Sequence, residues 1–399
     1  MLLAENLLIP NKEIFEKAKL QIAIEVQRVF RPRKHGMDVV AQELVKRLPL
    51  GTDTIDYHVM VKDDSDRCLT SIPHRLVHTI RKAPYFIWEQ YFLPRACHKL
   101  KADILHCTAN TAPLSNKMPL ILTLHDVIFL EKSNIRAKAS WYQRLGNLYR
   151  SIIVSTIAKK ALRIITVSEF QKKLIVEKLQ IPAEKVKVIY NGADERFFDH
   201  YSQEQIDGIL EKFGLTRGYI FFMANTDARK NSKGVVNAYA QLLLHNPEAP
   251  RLVMKGLKKE QLQQLLKQEK LEWLEKEIDL IGYVGYIDLP AIYQAASMLW
   301  FPSFSEGFGL PIVEAMASGI PVITSSVSCM PEIAGDAALF IDPKNPTSLA
   351  FATQLILTDS ELAERLSANG KKRAALFTWD SAIKETVAVY HEVETMIEQ

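Results

Sequence analysis

Short apolar runs recur along this chain with stretches of helical periodicity between them, and that alternation constrains the fold more than any other feature. Short, mainly apolar runs of this kind read as strands buried on both faces of a parallel sheet. In the first half they are Leu20–Val26, Ile104–His106, Leu120–Leu124, Arg163–Val167 and Val186–Ile189. A basic loop, RPRKHG, follows the first of them, and a helix is predicted over about residues 38–48. Its apolar positions Val39, Val40, Leu44, Val45 and Leu48 fall at helical spacing. The last run ends in Asn191-Gly192, a turn signal. A second series comprises Tyr219–Met223, Leu252–Met254, Leu280–Tyr283, Met298–Phe301 and Val322–Thr324, with a helix predicted over about 234–244. Strand–helix alternation in both halves implies two doubly wound α/β domains meeting near residues 192–216. Thr378 to Glu398 reads as one long amphipathic helix, able to stay on the second domain or reach back to the first.

The 399 residues suit two domains at roughly 100–200 residues each. With 48% apolar and 24% charged residues, the chain is globular rather than disordered, collagen-like or coiled-coil. Cys68, Cys97, Cys107 and Cys329 form no CxxC pair, which argues against a zinc finger or disulfide framework and for a reducing compartment. The N-terminus lacks the basic region and apolar core of a secretory signal. Lys159, Lys160 and Arg163 interrupt the longest apolar stretch, so no membrane span is expected. The net charge of +4 conceals an asymmetry. Residues 1–195 hold 31 Lys/Arg and 20 Asp/Glu (+11), and residues 196–399 hold 19 and 26 (−7).

The richest segment is PSFSEGFGLPIVEAMASG, residues 302–319. Gly307 and Gly309 permit backbone shapes that other residues resist. Pro311 suits a helix start and Gly319 a helix end. A strand, a glycine loop and a helix N-terminus together favour a bound phosphate. Glu306 and Glu314 flank that place. A carboxylate beside a phosphate repels it, so both are expected to meet sugar or ribose hydroxyls.

Glu306-x7-Glu314 in this setting resembles the signature of retaining glycosyltransferases of family 4, mannosyltransferase-like subgroup, which have the GT-B fold. Further segments agree in order. They are His125-Asp126, Val167-Ser168-Glu169-Phe170 with VIYNGAD (188–194), Arg229-Lys230-Asn231, Gly282-Tyr283-Val284 and Tyr293-Gln294-Ala295-Ala296. The resemblance covers about residues 20–395. It implies two Rossmann-like domains facing a central cleft. Residues 1–195 would bind the acceptor and residues 196–379 the sugar nucleotide, with the helix at about 380–399 packing back on the first domain. It departs from the family at Ala224 and Ala228, where glycine and often proline are usual, and at the first loop, where only Gly36 remains of two glycines.

The resemblance implies transfer of a hexose from a GDP- or UDP-sugar to a glycan or lipid-linked acceptor, with no other cofactor and no metal. Arg229 and Lys230 would clamp the diphosphate and stabilise the leaving charge. His125 would sit under the transferring sugar with Asp126 on the acceptor side, and Glu306 would meet the sugar hydroxyls. Glu314 would hold the ribose, Tyr283 and Val284 would meet the base, and Gly307, Phe308, Gly309 and Leu310 would line the donor. Gly36 reads either as donor-binding or as part of an ordinary helix start capped by Asp38. Asp63-Asp64-Ser65-Asp66 contains a DxD, but its flanks suit a solvated acidic turn. His35, His78 and His98 read as surface or packing residues.

Residues 132–163 hold eight Lys/Arg and no Asp/Glu, interleaved with Trp141, Tyr142, Leu145, Leu148, Tyr149, Ile152, Ile153 and Val154. Arg75, Arg81, Lys82, Arg95, Lys99 and Lys101 add to this near Tyr85, Phe86, Trp88, Tyr91 and Phe92. Such a mixture suits an anionic membrane surface. No nucleic-acid-binding motif is visible. The expected location is the cytoplasm, peripheral to the inner face of the membrane. A nucleotide-sugar epimerase and a non-catalytic sugar-nucleotide binder are the alternatives.

Overall fold

The computed structural model describes residues 19–49, 54–130 and 153–399. The first sheet holds β1 (Leu20–Glu25), β2 (Ile55–Lys62), β3 (Arg75–Ile80), β4 (Ile104–Cys107), β5 (Leu120–Thr123), β6 (Arg163–Thr166) and β7 (Val186–Val188). The second holds β8 (Tyr219–Met223), β9 (Leu252–Lys255), β10 (Ile278–Ile281), β11 (Ala296–Phe301), β12 (Val322–Ser325) and β13 (Leu339–Ile341). Their orders are β3-β2-β1-β4-β5-β6-β7 and β10-β9-β8-β11-β12-β13. Every pairing is parallel. Each sheet reverses direction beside its first strand, between β1 and β4 and between β8 and β11. In a doubly wound sheet a ligand crevice opens at that point, at the carboxyl strand ends.

The interior strands other than β2 fall where apolar runs predict them. β2, β3 and β13 were not anticipated. β2 alternates Asp56 and His58 with apolar residues, β3 is a partly exposed edge, and β13 has three residues. β10 lies about two residues earlier than predicted, so Gly282, Tyr283 and Val284 belong to the loop beyond it. The first helix spans Gly36–Arg47. Asp38 is not its cap residue, because His35 holds that place and Asp38 Oδ2 accepts from His35 N at 3.0 Å.

Both faces of each sheet are covered. One face of the first sheet, with Ile22, Ile24, Tyr57 and Ile121, packs against Trp379, Ile383, Val389, Tyr390 and Val393. These last five residues belong to the helix Trp379–Glu398. Each large side chain so buried is worth roughly 1.5–3 kcal/mol. A buried chain of hydrogen bonds pins the helix in register. Tyr390 Oη meets His106 Nδ1 at 2.8 Å, and His106 Nε2 meets Thr123 Oγ1 at 2.8 Å. The chain crosses between the sheets twice, and the crossings touch. Ala193 N donates to the Phe377 carbonyl at 3.0 Å, and Ala193 bridges Thr378. A Cβ on Gly192 would overlap the Trp379 backbone, so this glycine serves a close approach of two chain segments.

The basic region divides. Residues 131–152, with Trp141, Tyr142, Leu145, Leu148, Tyr149 and Ile152, lie outside the described residues, as do residues 1–18. Ile153, Val154 and Trp88 are core residues rather than surface ones. Arg75 is buried too, donating to the Val45 and Lys46 carbonyls at 2.8 and 3.0 Å. Arg81 lies over the Phe92 ring and Arg95 over Tyr91, with Phe86 and Tyr91 exposed beside them. In the acidic turn, Asp63 pairs with Arg67 and Asp66 with Lys34. No described helix is long and apolar enough to cross a membrane.

Candidate active site

The loop between β11 and the helix Leu310–Ala317 is shaped by two glycines acting differently. Gly309 has φ +97°, a region L side chains resist, and it occupies the cap position of the helix. No side chain caps this end; Pro311 in its first turn has no N–H and Ile312 N donates to the Gly309 carbonyl at 2.9 Å, so the Leu310 N–H is the first-turn donor left for an anion. Gly307 has no such backbone. A Cβ there would press into the His125 carbonyl oxygen and lie 3.3 Å from its carbon. The glycine loop of one domain therefore rests directly on the His125 loop of the other.

Glu306 is 7% exposed and gathers both cations of the loop after β8. Arg229 Nη1 lies 2.6 Å from Glu306 Oε2, and Lys230 Nζ lies 2.7 Å from Oε1. Burial pushes the Glu306 carboxyl up, and these two neighbours more than offset that, holding it below the usual carboxylate range. The two cations thus neutralise Glu306. Arg229 also donates to the Ser305 carbonyl at 2.9 Å, and Phe304 N donates to the Arg229 carbonyl at 2.8 Å.

His125 follows β5 and is buried. Its backbone N–H donates to Asn110 Oδ1 at 2.7 Å. Its Nε2 lies 2.9 Å from the Thr108 carbonyl, and a carbonyl can only accept, so Nε2 carries the proton. Burial holds the imidazole below its ordinary pKa. The ring is therefore neutral, with its Nδ1 lone pair unused by that bond. Asp126 is pushed up by burial, partly offset by Arg229, and it accepts from Ile128 N at 3.3 Å.

Glu314 stands one turn into the helix and is 5% exposed. Its Oε2 accepts from the Tyr293 hydroxyl at 2.9 Å. Burial raises its pKa to about 7, against the opposing effects of Tyr293 and Lys255. Gly36 and Leu310 face each other across the cleft, 4.0 Å from the Cβ that Gly36 lacks to Leu310 Cδ1. Tyr283 is half-exposed at the carboxyl end of β10. Val284 and Phe308 differ from expectation, because both are core residues. Phe308 packs edge-on against Phe377 at 5.6 Å. The structure thus brings His125, Asp126, Arg229, Lys230, Glu306, Gly307 and Gly309 together, sets Glu314 apart on the same helix, and withdraws Val284 and Phe308.

Other residues join the site without having been singled out for it. Ser168 Oγ donates to the Gly307 carbonyl at 2.8 Å, and Gln171 Nε2 to the Glu306 carbonyl at 2.9 Å. Glu332 accepts from Glu169 N at 2.7 Å, Phe170 N at 2.9 Å and the Tyr190 hydroxyl at 2.9 Å. Each of these bonds joins the two domains. The serine before a helix was a readable cap signal; Gln171 and Glu332 carry none. No group of three or more His, Cys, Asp or Glu among the described residues is placed to hold a metal ion.

A glycine-looped helix end thus lies opposite a neutral histidine between two doubly wound sheets, at the strand ends where such folds bind ligands. Residues 207–373 match the family model Glycosyl transferases group 1, and residues 33–197 match Glycosyltransferase Family 4. The chain is a glycosyltransferase of the GT-B fold. It is 29% identical over 377 residues to O-antigen chain mannosyltransferase B of Escherichia coli, covering 89% of this chain and 95% of that one. It is 27% identical over 288 residues to the MMP alpha-(1->4)-mannosyltransferase of Mycolicibacterium hassiacum, covering 69% and 65%. The fold is shared with HepE of Anabaena in complex with UDP and glucose, at a TM-score of 0.73 and 19% identity, over 94% of this chain and all of that one.

Proposed function

We propose that the enzyme moves a hexose from a nucleoside-diphosphate sugar to a glycan or lipid-linked acceptor, retaining the anomeric configuration, in bacterial-type surface polysaccharide synthesis. The observation that carries this reading is Glu306 held between Arg229 and Lys230 in the glycine loop whose Gly307 rests on the His125 backbone. A donor diphosphate at the helix N-terminus would meet both cations and the loop amides. These groups stabilise the charge that develops as the bond from the sugar to the diphosphate breaks. Glu306, kept ionised, accepts from the sugar hydroxyls, and His125 Nδ1 accepts one more. The acceptor oxygen bonds to the anomeric carbon on the face the diphosphate leaves, and the acceptor's proton passes to the leaving phosphate oxygen. No protein base and no metal are required. Glu314 accepts from the ribose hydroxyls, and Tyr283 meets the base.

The names of the two bacterial relatives support a mannosyl donor, and the UDP in HepE supports a uridine nucleotide. A thermal-shift screen of GDP-, UDP-, ADP- and dTDP-sugars distinguishes them. Product analysis by NMR then reads the anomeric configuration, and retention is expected. EDTA is expected to leave transfer unchanged. The exposed Phe86 and Tyr91, with Arg81 and Arg95 stacked nearby, support a peripheral contact with anionic lipid on the acceptor side. Liposome co-sedimentation that does not weaken with added salt would refute that contact.

A further inference from the structure

Lys255 is the last residue of β9, and no motif marks it. In the sheet it pairs with Met223 of β8 and with Ile281 of β10. The Met223 sulfur lies 3.3 Å from the Tyr293 hydroxyl, the same hydroxyl that donates to Glu314. Side chains alternate along a strand, so Lys255 shares a face with Val253. Val253 packs in the cluster that holds Tyr293 and Val313, the residue before Glu314. Gly256, at φ +110°, turns the chain away immediately afterwards. Lys255 is thus a half-buried ammonium at the carboxyl sheet edge. Among the described residues no ion pair or hydrogen bond holds it. Leaving such a group unpartnered costs stability with no structural return, which points to a role at the site.

The other groups around Glu314 come from every element packed near it. The helix Leu289–Ala295 supplies Tyr293. The segment after β7 supplies Asp194, which is paired with Arg196 at 2.7 Å, and Arg196 lies over the Tyr286 ring. Asp194 acts against ionisation of Glu314; Lys255 acts for it, and Arg196 is taken up by Asp194.

We propose that Lys255 is a positioning residue for the donor, holding Glu314 as a carboxylate that accepts from both ribose hydroxyls. This rests on the ribose reading of Glu314 given above. A protonated Glu314 would turn one acceptor into a donor and leave a ribose hydroxyl unmatched. Burial already brings Glu314 to about 7, so loss of the cation moves it above neutrality.

The test is calorimetric binding of UDP and GDP between pH 6 and 9 to the wild type, Lys255→Met, Lys255→Arg and Glu314→Gln. Lys255→Met is expected to weaken binding about fivefold at pH 7 and about tenfold at pH 6, and to recover by pH 9. Lys255→Arg should behave as the wild type, and Glu314→Gln should be weak at every pH. A wild-type profile for Lys255→Met beside a weak Glu314→Gln overturns the role of Lys255 and leaves the ribose reading standing. A loss by the same factor at every pH also overturns it, since the lysine would then act on the nucleotide itself. An unaltered Glu314→Gln overturns the ribose reading instead. Melting temperatures confirm folding, and Lys255→Gln replaces the methionine variant if that one does not fold.

Discussion

Gly307→Ala separates close approach from backbone freedom as the reason for a glycine. An alanine Cβ at 307 would lie under 3.0 Å from the His125 carbonyl oxygen, where contacts tighter than 3.4 Å already force a neighbour to give. The two loops must therefore part by about 0.6–1 Å. The Ser168 and Gln171 hydrogen bonds at 2.8 and 2.9 Å, which tie the same loop to the first domain, stretch with them. Reacting groups tolerate about 0.5 Å of misplacement, and about 1 Å costs on the order of a hundredfold in rate. The expected loss in kcat/KM is thus about tenfold to a hundredfold, or ~1.4–2.7 kcal/mol. The assay is release of nucleoside diphosphate from the donor sugar, alongside nucleotide affinity and melting temperature. Affinity should change less than about threefold, and melting little, because the loops belong to different domains and can separate. Gly309→Ala is the counterpart. It meets strain at φ +97°, so it should lose about 1–2 kcal/mol of stability. Wild-type turnover in Gly307→Ala, or a collapse of its melting temperature with turnover per folded molecule intact, would refute the reasoning.

Three further outcomes are expected. Glu332→Ala removes a carboxylate that caps the helix Glu169–Leu179 from the opposite domain, so stability should fall by about 1 kcal/mol. Its radius of gyration by X-ray scattering should rise, and an unchanged value speaks against a clasp. Burial holds Glu25 up at about 7, while the unfolded chain releases that proton near 4.5. The folded state then binds more protons between these values, so stability falls as pH rises through them. Melting scans at pH 5 and 8 should show Glu25→Gln flattening that slope. Tyr390→Phe deprives His106 of its buried partner and should cost about 1 kcal/mol in urea denaturation.

What was legible followed from how completely each residue's surroundings impose themselves on the chain. Strands such as Tyr219–Met223, buried on both faces, are apolar throughout and therefore announce themselves. The edge strands β3 and β13 answer to solvent on one side and do not. The glycine loop was readable because a helix start needs particular residues at fixed spacing. The convergence of Arg229, Lys230 and Glu306 is half-readable: residue types show the charges, but only the fold places both cations within 2.7 Å of Glu306. Phe308 misled because a loop position beside Gly307 gives no sign that its ring turns inward to Phe377. Lys255 and Glu332 owe their places to tertiary contacts with elements far along the chain, which local spacing cannot express.

The helix Trp379–Glu398 packs into the first sheet's core although some two hundred residues separate it from β7. On a ribosome adding about 5–20 residues per second, that distance is roughly 10–40 s of synthesis. Throughout that interval the sheet face carrying Ile22, Ile24 and Tyr57 waits without its cover. The nascent first half thus carries an open apolar face until the last helix leaves the ribosome. The second half, contiguous in sequence, is free to finish folding before the first.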